Sequence, residues 1–211
     1  MNDNAFFVSG IGTDVGKTVA SAFLQLALDA DYWKPVQAGD LAFGDADRVR
    51  KYTGLPAGRY FPERYRLKTP ASPHYAARLD GENIELTDFT LPERTSDRPL
   101  LVEGAGGLLV PINERDTMLD LATHLRLPVI LVSRHYLGSI NHTLLSLEVL
   151  RNRGVPLAGL VFSGGRNEES ARIISKMGRV PVLATLPELH EITPATLREV
   201  VDRTRLTLPV R

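Results

Sequence analysis

Short apolar runs alternate along this chain with segments whose apolar positions recur every three or four residues. Continuous apolar runs are typical of buried strands, whereas the longer spacing is typical of helices that pack on one face. Their alternation predicts an α/β fold, a doubly wound and mostly parallel sheet flanked by helices. The predicted strands are residues 5–9, 32–34, 100–103, 129–132, 157–162 and 182–186.

Helices are predicted between most of these strands, over residues 18–29, 119–125, 140–153, 168–177 and 194–204. Residues 54–99 are harder to assign because prolines and scattered Thr, Asp and Gly interrupt any regular period. We expect loops in that region, with one helix near residues 72–79. Substrate contacts are expected among these loops.

Length and composition fit one domain over residues 1–211, since 211 residues of 43% hydrophobic content suffice for a single α/β core. No apolar run approaches the roughly 20 residues of a membrane span, and the N-terminus lacks the pattern of a secretory signal. We therefore expect a cytoplasmic protein without membrane contact. The absence of cysteine excludes disulfides, thiolate nucleophiles and zinc–cysteine sites.

The charges of the chain cancel, with 25 basic and 25 acidic residues interspersed. This balance gives no electrostatic footprint for nucleic acid or for an anionic membrane. A small-molecule substrate is the better expectation. The chemistry must then come from lysine, carboxylate and hydroxyl groups and from bound metal.

The clearest chemical motif is G-I-G-T-D-V-G-K-T at residues 10–18, between the first predicted strand and helix. A strand, a glycine-rich turn and a helix start form a P-loop, whose backbone N–H groups cradle nucleotide phosphates. Lys17 would reach the β- and γ-phosphates, and the Thr18 hydroxyl would bind Mg²⁺. Gly10 and Gly16 enclose one residue more than usual, which indicates a variant loop. The alternative is a glycine-rich turn with Lys17 as a solvated charge.

Two charged residues end other predicted strands. Glu103 precedes a glycine-rich segment, and ligands of open parallel sheets bind beyond the carboxyl ends of strands. Glu103 is therefore expected to face the P-loop and hold Mg²⁺ directly or through water, although it could instead cap a turn. Lys34 lies before Pro35, where it either points into the same crevice or is an ordinary surface lysine.

Five motifs, taken in order, resemble the dethiobiotin synthetase family over most of the chain. They are G-I-G-T-D-V-G-K-T at residues 10–18, K-P-V-Q-A-G at 34–39, P-A-S-P-H at 70–74, V-E-G-A-G-G at 102–107 and L-G-S-I-N-H-T-L-L at 137–145. The longer P-loop is itself a feature of that family. The resemblance implies conversion of 7,8-diaminononanoate, CO2 and MgATP to dethiobiotin, ADP and phosphate, through a carbamate and a carbamic–phosphoric mixed anhydride.

By this resemblance, two lysines and a threonine carry the catalysis. Lys34 matches the lysine that meets the carbamate, and Lys17 matches the one that bridges the transferring phosphoryl group. Thr13 matches a loop threonine near that group. Because both intermediates are anionic, the protein needs cations more than it needs a nucleophile.

The resemblance also implies a metal site and a nucleotide site. The Mg²⁺ ligands would be Thr18, Asp45 and Glu103. Asp45 is preferred to Asp47 because Val49 then falls at the apolar position four residues after the ligand. The implied nucleotide contacts are Asp14, Val15, Gly16, Lys17, Thr18, Val19, Asp45, Glu103, Gly104, Ala105, Gly106, Ser163, Gly164, Leu186, Pro187 and Glu188. Ser163 stands where relatives often read adenine with asparagine, so the selectivity for the base is left open.

The implied substrate contacts are Lys34, Ala38, Gly138, Ser139, Ile140 and Asn141. Residues 138–141 resemble a helix N-terminus that captures the distant carboxylate of the substrate across a two-fold axis, which implies a homodimer. The alternative is that Asn141 only caps the helix and that His142 is a partly buried surface residue. Ala38 replaces a serine of some relatives, and Gln37 offers a compensating polar group.

Two rival functions are considered. Cobyrinate-type synthetases share the P-loop but usually carry a glutamine-hydrolysing domain with a cysteine nucleophile, which this chain lacks. Partition-type ATPases are nucleotide-switched binding proteins and normally have an extra lysine early in the loop. This chain has Ile11 and Gly12 there, so both rivals are disfavoured.

Overall fold

The computed structural model describes residues 4–204 and residue 206. Its strands are β1 (Ala5–Gly10), β2 (Asp31–Trp33), β3 (Val36–Ala38), β4 (Tyr60–Phe61), β5 (Tyr65–Leu67), β6 (Leu100–Gly107), β7 (Val129–Arg134), β8 (Leu157–Ser163) and β9 (Val182–Thr185). Seven of them form a parallel sheet in the order β4-β2-β6-β1-β7-β8-β9. Strands β3 and β5 pair separately, also in parallel.

Helices connect most of these strands, as parallel neighbours require. They are α1 (Lys17–Ala27), α2 (Asp45–Thr53), α3 (Pro73–Asp80), α4 (Met118–His124), α5 (Ser139–Asn152), α6 (Glu168–Gly178) and α7 (Pro194–Arg203), with short 3-10 turns at Ala57–Arg59 and Leu86–Asp88. Within the described ranges, none of the helices has the length and apolar character needed to cross a membrane.

Both faces of the larger sheet are buried. Strand β1 lies between β6 and β7, and its Phe7 pairs with Val102 on one side and Val129 on the other. Phe7 and the next residue, Val8, are both fully buried but belong to different hydrophobic clusters. Successive side chains of a strand point to opposite faces, so helices cover both sides of the sheet. This confirms the predicted doubly wound α/β fold.

The predicted strands and helices are confirmed, with most boundaries within two residues of those observed. The exception is β6, which continues to Gly107 instead of ending at Glu103. It continues because Gly107 still pairs with Gly10 beside the first turn of the P-loop, where neither residue has a side chain to separate the strands. The single helix expected near residues 72–79 is α3.

Four elements were not predicted: β3, α2, β4 and β5. The three strands contain only two or three residues each, too few to show a period. Helix α2 is mostly charged, and only its Val49 and Thr53 are buried. Its position is set by packing against α1 and α7 instead of by a strong apolar stripe.

Candidate active site

A cavity of about 680 Å³ opens at the carboxyl edge of the sheet, where the loops after β1, β2 and β6 meet. Ligands of open α/β sheets bind at this edge. The predicted site residues that line it are Thr13, Asp14, Gly16, Lys17, Thr18, Val19, Lys34, Ala38, Asp45, Glu103, Ala105 and Gly106. Val15 and Gly104 lie behind this wall, Val15 in the core under α1 and Gly104 against the ring of Phe7.

The loop between β1 and α1 leads into a helix start that faces the main cavity. Gly16 precedes the helix in the left-handed region, with φ of 83°, and a β-carbon there would lie 2.9 Å from the Ser163 hydroxyl oxygen. Only glycine fits both demands. Lys17 is buried, and its ammonium donates to the Gly12 carbonyl oxygen at 3.1 Å, so the cation lies along the loop. Burial, and then the nearby charge of Lys34, lower the pKa of Lys17.

Lys34 is a buried cation on the cavity wall and not a surface lysine. Its ammonium lies 2.7 Å from Asp45 Oδ2 and 3.1 Å from Glu103 Oε1, and it donates to the Gly104 carbonyl oxygen at 3.1 Å. Burial opposes the charge, but the two carboxylates outweigh it and raise the pKa of Lys34. Burial likewise opposes ionisation of Asp45, yet Lys34 holds the pKa of that carboxyl below its ordinary value.

Thr18, Asp45 and Glu103 converge from three elements, α1, α2 and β6. The Thr18 hydroxyl lies 3.1 Å from Asp45 Oδ1 and 3.4 Å from Glu103 Oε1. Asp47 does not join them, because its carboxylate accepts from the Gly44 backbone N–H at 2.9 Å and so caps the start of α2. Among the described residues, no group of three or more His, Cys, Asp or Glu side chains is arranged so that it could hold a metal ion. The oxygen set is therefore small, two carboxylates and one hydroxyl.

Two residues hold this set in place: Tyr32, which the sequence did not single out, and Gln37, which was expected only to compensate for the missing serine at position 38. Tyr32 is fully buried in β2, and its hydroxyl donates to Glu103 Oε2 at 3.1 Å. Gln37 accepts from the Asp45 backbone N–H at 3.1 Å and donates to the Gly39 carbonyl oxygen at 3.0 Å. The amide oxygen of Gln37 thus positions the start of α2, while its neighbour Ala38 lines the cavity. Nothing in the period of the sequence distinguishes Tyr32 from an ordinary core aromatic.

The residues predicted to contact the nucleotide base line a second, smaller cavity of about 130 Å³, which adjoins the first. Ser163, Gly164, Leu186, Pro187 and Glu188 all line it. The Ser163 hydroxyl is buried and donates to the Val15 carbonyl oxygen at 2.5 Å. Because its one proton is used by the P-loop backbone, Ser163 fixes the loop.

Residues 138–141 lie apart from the main cavity. Helix α5 begins at Ser139, and its N-cap is Gly138 with φ of 103°. The alternative in which Asn141 caps this helix is wrong, since Asn141 is already inside it, and His142 is exposed and pairs with the Tyr136 hydroxyl at 2.7 Å.

A third cavity, of about 430 Å³, lies between helix α5 and the P-loop. This apolar cavity is lined by Leu145 and Val149 from α5, by Leu109 after β6, and by Gly12 and Thr13 of the loop. Leu109 and Leu145 are more than half exposed, Leu137 is fully exposed and Ile140, near the start of α5, is about one third exposed. Thr13 lines this cavity and the main one, so the two share a wall.

Sequence comparison finds curated relatives over nearly the whole chain. A protein from Afipia carboxidovorans named ATP-dependent dethiobiotin synthetase BioD is 56% identical over 191 residues, 90% of this chain and 90% of its own. Proteins of the same name from Nitrobacter hamburgensis and Christiangramia forsetii are 54% and 44% identical, over 91% and 97% of this chain and 90% and 97% of theirs. A family model described as AAA domain matches residues 4–196.

Solved structures of similar fold include the MinC:MinD cell division protein complex of Aquifex aeolicus, at a TM-score of 0.52 with 12% identity, covering 95% of this chain and 85% of that one. A ParA family ATPase from Chlorobium tepidum matches at 0.50 with 14% identity, over 95% and 89% of the two chains. At such low identity these likenesses establish the fold alone.

Proposed function

We propose that this chain, which belongs to the dethiobiotin synthetase family, is an ATP-dependent ligase of biotin synthesis. It joins CO2 to 7,8-diaminononanoate and closes the ureido ring of dethiobiotin, with release of ADP and phosphate. The observation that best supports this chemistry is the buried ammonium of Lys34 on the cavity wall, close to the P-loop. Partition-type ATPases normally carry their second lysine early in the P-loop, where this chain has Ile11 and Gly12, and not at the end of a neighbouring strand.

The proposed reaction has three steps. One amine of the substrate attacks CO2 and loses a proton, which gives a carbamate. A carbamate oxygen then attacks the γ-phosphorus of ATP and displaces ADP, which gives the mixed anhydride. The second amine attacks the carbonyl carbon, loses its proton and displaces phosphate, which closes the ring. Each intermediate is an anion that a preorganised cation stabilises.

Lys34 is placed to stabilise those anions. Its ammonium has three protons and three acceptors, namely Asp45, Glu103 and the Gly104 carbonyl. An anionic carbamate bound in the main cavity would replace one of these acceptors of the ammonium, and Lys34 would stay in its buried position. Lys17 and Thr13, on the facing loop, would contact the phosphoryl group as it is transferred.

The oxygen set of Thr18, Asp45 and Glu103 fits Mg²⁺. Magnesium prefers oxygen ligands and usually keeps places for water and substrate phosphates, so one hydroxyl and two carboxylates suffice from the protein. When bound, Mg²⁺ would neutralise phosphate charge and orient the γ-phosphoryl group. Tyr32 keeps the Glu103 carboxylate turned toward the set, and Gln37 keeps Asp45 there.

The Glu103→Gln variant should weaken the apparent Mg²⁺ affinity by at least about tenfold, since the amide keeps the shape and loses the charge. A magnesium titration of turnover and of ATP binding measures this change. Asp47→Asn is the matched control, because Asp47 caps α2 and lies outside the oxygen set. An unchanged titration for Glu103→Gln would remove Glu103 from the metal site, and a change confined to Asp47→Asn would place Asp47 there.

A homodimer is part of this proposal. The apolar cavity between α5 and the P-loop, with Leu109 and Leu145 exposed beside it, fits a contact between two copies of the chain. In such a dimer the start of α5, with its free backbone N–H groups, would hold the carboxylate of a substrate bound in the other subunit. The exposed Leu137 and Ile140 would extend the same contact.

The Leu145→Asp variant should dissociate this dimer, because it places a charge in the apolar contact. Sedimentation of the purified protein should show a dimer for the unchanged chain and a monomer for the variant, with turnover reduced in parallel. Leu79→Asp is the matched control, since Leu79 is equally exposed on α3, away from that cavity. A monomeric unchanged chain that turns over normally would overturn the homodimer.

The assay that tests the proposed function is phosphate release from ATP with and without 7,8-diaminononanoate plus bicarbonate. The proposal predicts release only when both are present, in step with dethiobiotin. Strong release that ignores the diamine would favour a partition-type ATPase, which shares the fold. The identities of 44% to 56% to dethiobiotin synthetases favour the first result.

A further inference from the structure

Arg134 lies at the boundary between the main cavity and the smaller one. It is the last residue of β7 and pairs in register with Ser163 of β8, so it emerges at the carboxyl edge of the sheet. Arg134 lines both cavities, as do Gly16 and Val19. It is the charged member of those three, and sequence reasoning gave it no role.

The side chain of Arg134 is held from two sides. Gly164 has φ of 78°, and a β-carbon there would lie 2.9 Å from Arg134 Nε and 3.1 Å from its Cγ, so the arginine stem lies on bare backbone. On the other side, its guanidinium donates to the Glu188 carboxylate at 3.2 Å. Both side chains are about half exposed, and an ion pair of that kind adds little to folding stability. The arrangement therefore calls for another explanation.

The smaller cavity contains few groups that could recognise a ligand. Ser163 already donates its proton to the Val15 carbonyl oxygen. Among the described residues that line the cavity, Arg134 and Glu188 are the charged ones, and most others are apolar or glycine. A planar guanidinium fixed over a mainly apolar cavity suits an aromatic ring, on which arginine stacks well.

We propose that Arg134 is a nucleotide-binding residue that packs its guanidinium plane against the base of ATP, with Glu188 fixing the orientation of that plane. This inference rests on the proposed function, since it places the phosphates on the P-loop and the base in the smaller cavity. Arg134 contributes affinity through the base, whereas Lys17 contributes it through the phosphates. Arg134, oriented by Glu188, thus supplies the contact with the base, because the Ser163 hydroxyl has no free proton to donate to it.

The test compares two ligands by calorimetry, MgATP and magnesium triphosphate, the second of which has no base or ribose. Arg134→Ala should weaken ATP binding about tenfold and leave triphosphate binding unchanged. Arg134→Lys should restore little, because an ammonium has the charge without the plane. Glu188→Gln should cause a smaller loss for ATP alone. Thermal unfolding of each variant confirms that the fold is kept.

Other outcomes would overturn the inference. Equal weakening of both ligands would mean that Arg134 contacts phosphates, and unchanged binding of both would mean that it does not touch the nucleotide. A full rescue by lysine would exclude packing on the base. Dethiobiotin formation by the unchanged chain separates this failure from failure of the proposed function, since the unchanged chain would form none if it were no synthetase.

Discussion

The Lys17→Ala variant is expected to lose turnover by about 10²-fold or more, which corresponds to roughly 3 kcal/mol of transition-state stabilisation. Lys17 lies along the P-loop with its ammonium on the Gly12 carbonyl, and it is the cation of the loop that is proposed to meet the phosphoryl group. Without it, the loop itself offers the developing phosphate charge only backbone N–H groups and the Thr13 hydroxyl. Initial rates of phosphate release and of dethiobiotin formation measure the loss.

The fold should survive this change. Burial and the neighbouring Lys34 both disfavour the charged form of Lys17 and lower its pKa, so its removal relieves the protein of an unfavourable charge. The midpoint temperature of thermal unfolding should therefore be unchanged or slightly higher than that of the unchanged chain. Lys51→Ala is the matched control, because Lys51 is exposed on α2. Near-native turnover in Lys17→Ala would mean that the loop is not the phosphate site.

The Lys34→Ala variant is expected to close the ring about 10²-fold more slowly or worse, while its ATP affinity stays within a few-fold of the unchanged chain. Lys34 is proposed to neutralise the carbamate and the mixed anhydride and not to bind the nucleotide. Diamine binding in the presence of CO2 should weaken as well. Calorimetry with ATP, run beside an assay of dethiobiotin, separates the two roles.

Arginine at position 34 should rescue poorly. The space around Lys34 holds three acceptors within 3.1 Å of one compact ammonium, and a planar guanidinium on a longer arm does not fit them. Loss of Lys34 also leaves Asp45 and Glu103 facing each other, which should lower thermal stability at neutral pH and be offset by Mg²⁺. If Lys34→Ala loses ATP binding but closes the ring normally at saturating ATP, Lys34 is a nucleotide contact and the mechanism is wrong.

Much of the fold could be predicted because buried parallel strands and amphipathic helices leave clear periods. The run around Phe7 and Val8 is apolar throughout, since both faces of β1 are covered. Helix α2 could not be predicted in this way, because only Val49 and Thr53 are buried on it. Its packing is decided by α1 and α7, elements distant in sequence.

The site divides in the same way. Lys17, Thr18 and Glu103 follow from motifs at strand ends, and Asp45 from the family resemblance; the structure brings all four to one cavity with Lys34. The contacts of Tyr32 with Glu103 and of Arg134 with Glu188 could not be predicted, because each partner lies far along the chain.

Residues 138–141 show a further limit of the sequence. Their motif correctly places a helix start, and α5 does begin there with a glycine N-cap. The sequence does not say where that start lies relative to the phosphate loop. Within one chain, the start of α5 is separated from the P-loop by the apolar cavity that α5 lines. A role of this helix start in substrate binding therefore depends on a second subunit.

A carbamate oxygen is proposed to be phosphorylated in the cavity between the P-loop and Lys34. This step can be followed with heavy-oxygen-labelled bicarbonate, freshly mixed with 7,8-diaminononanoate, MgATP and protein, by mass analysis of the phosphate and dethiobiotin formed. The mechanism predicts one labelled oxygen in the released phosphate for each ring closed, because the carbamate oxygen stays on phosphorus when the second amine displaces it. Unlabelled phosphate released alongside labelled dethiobiotin would contradict it.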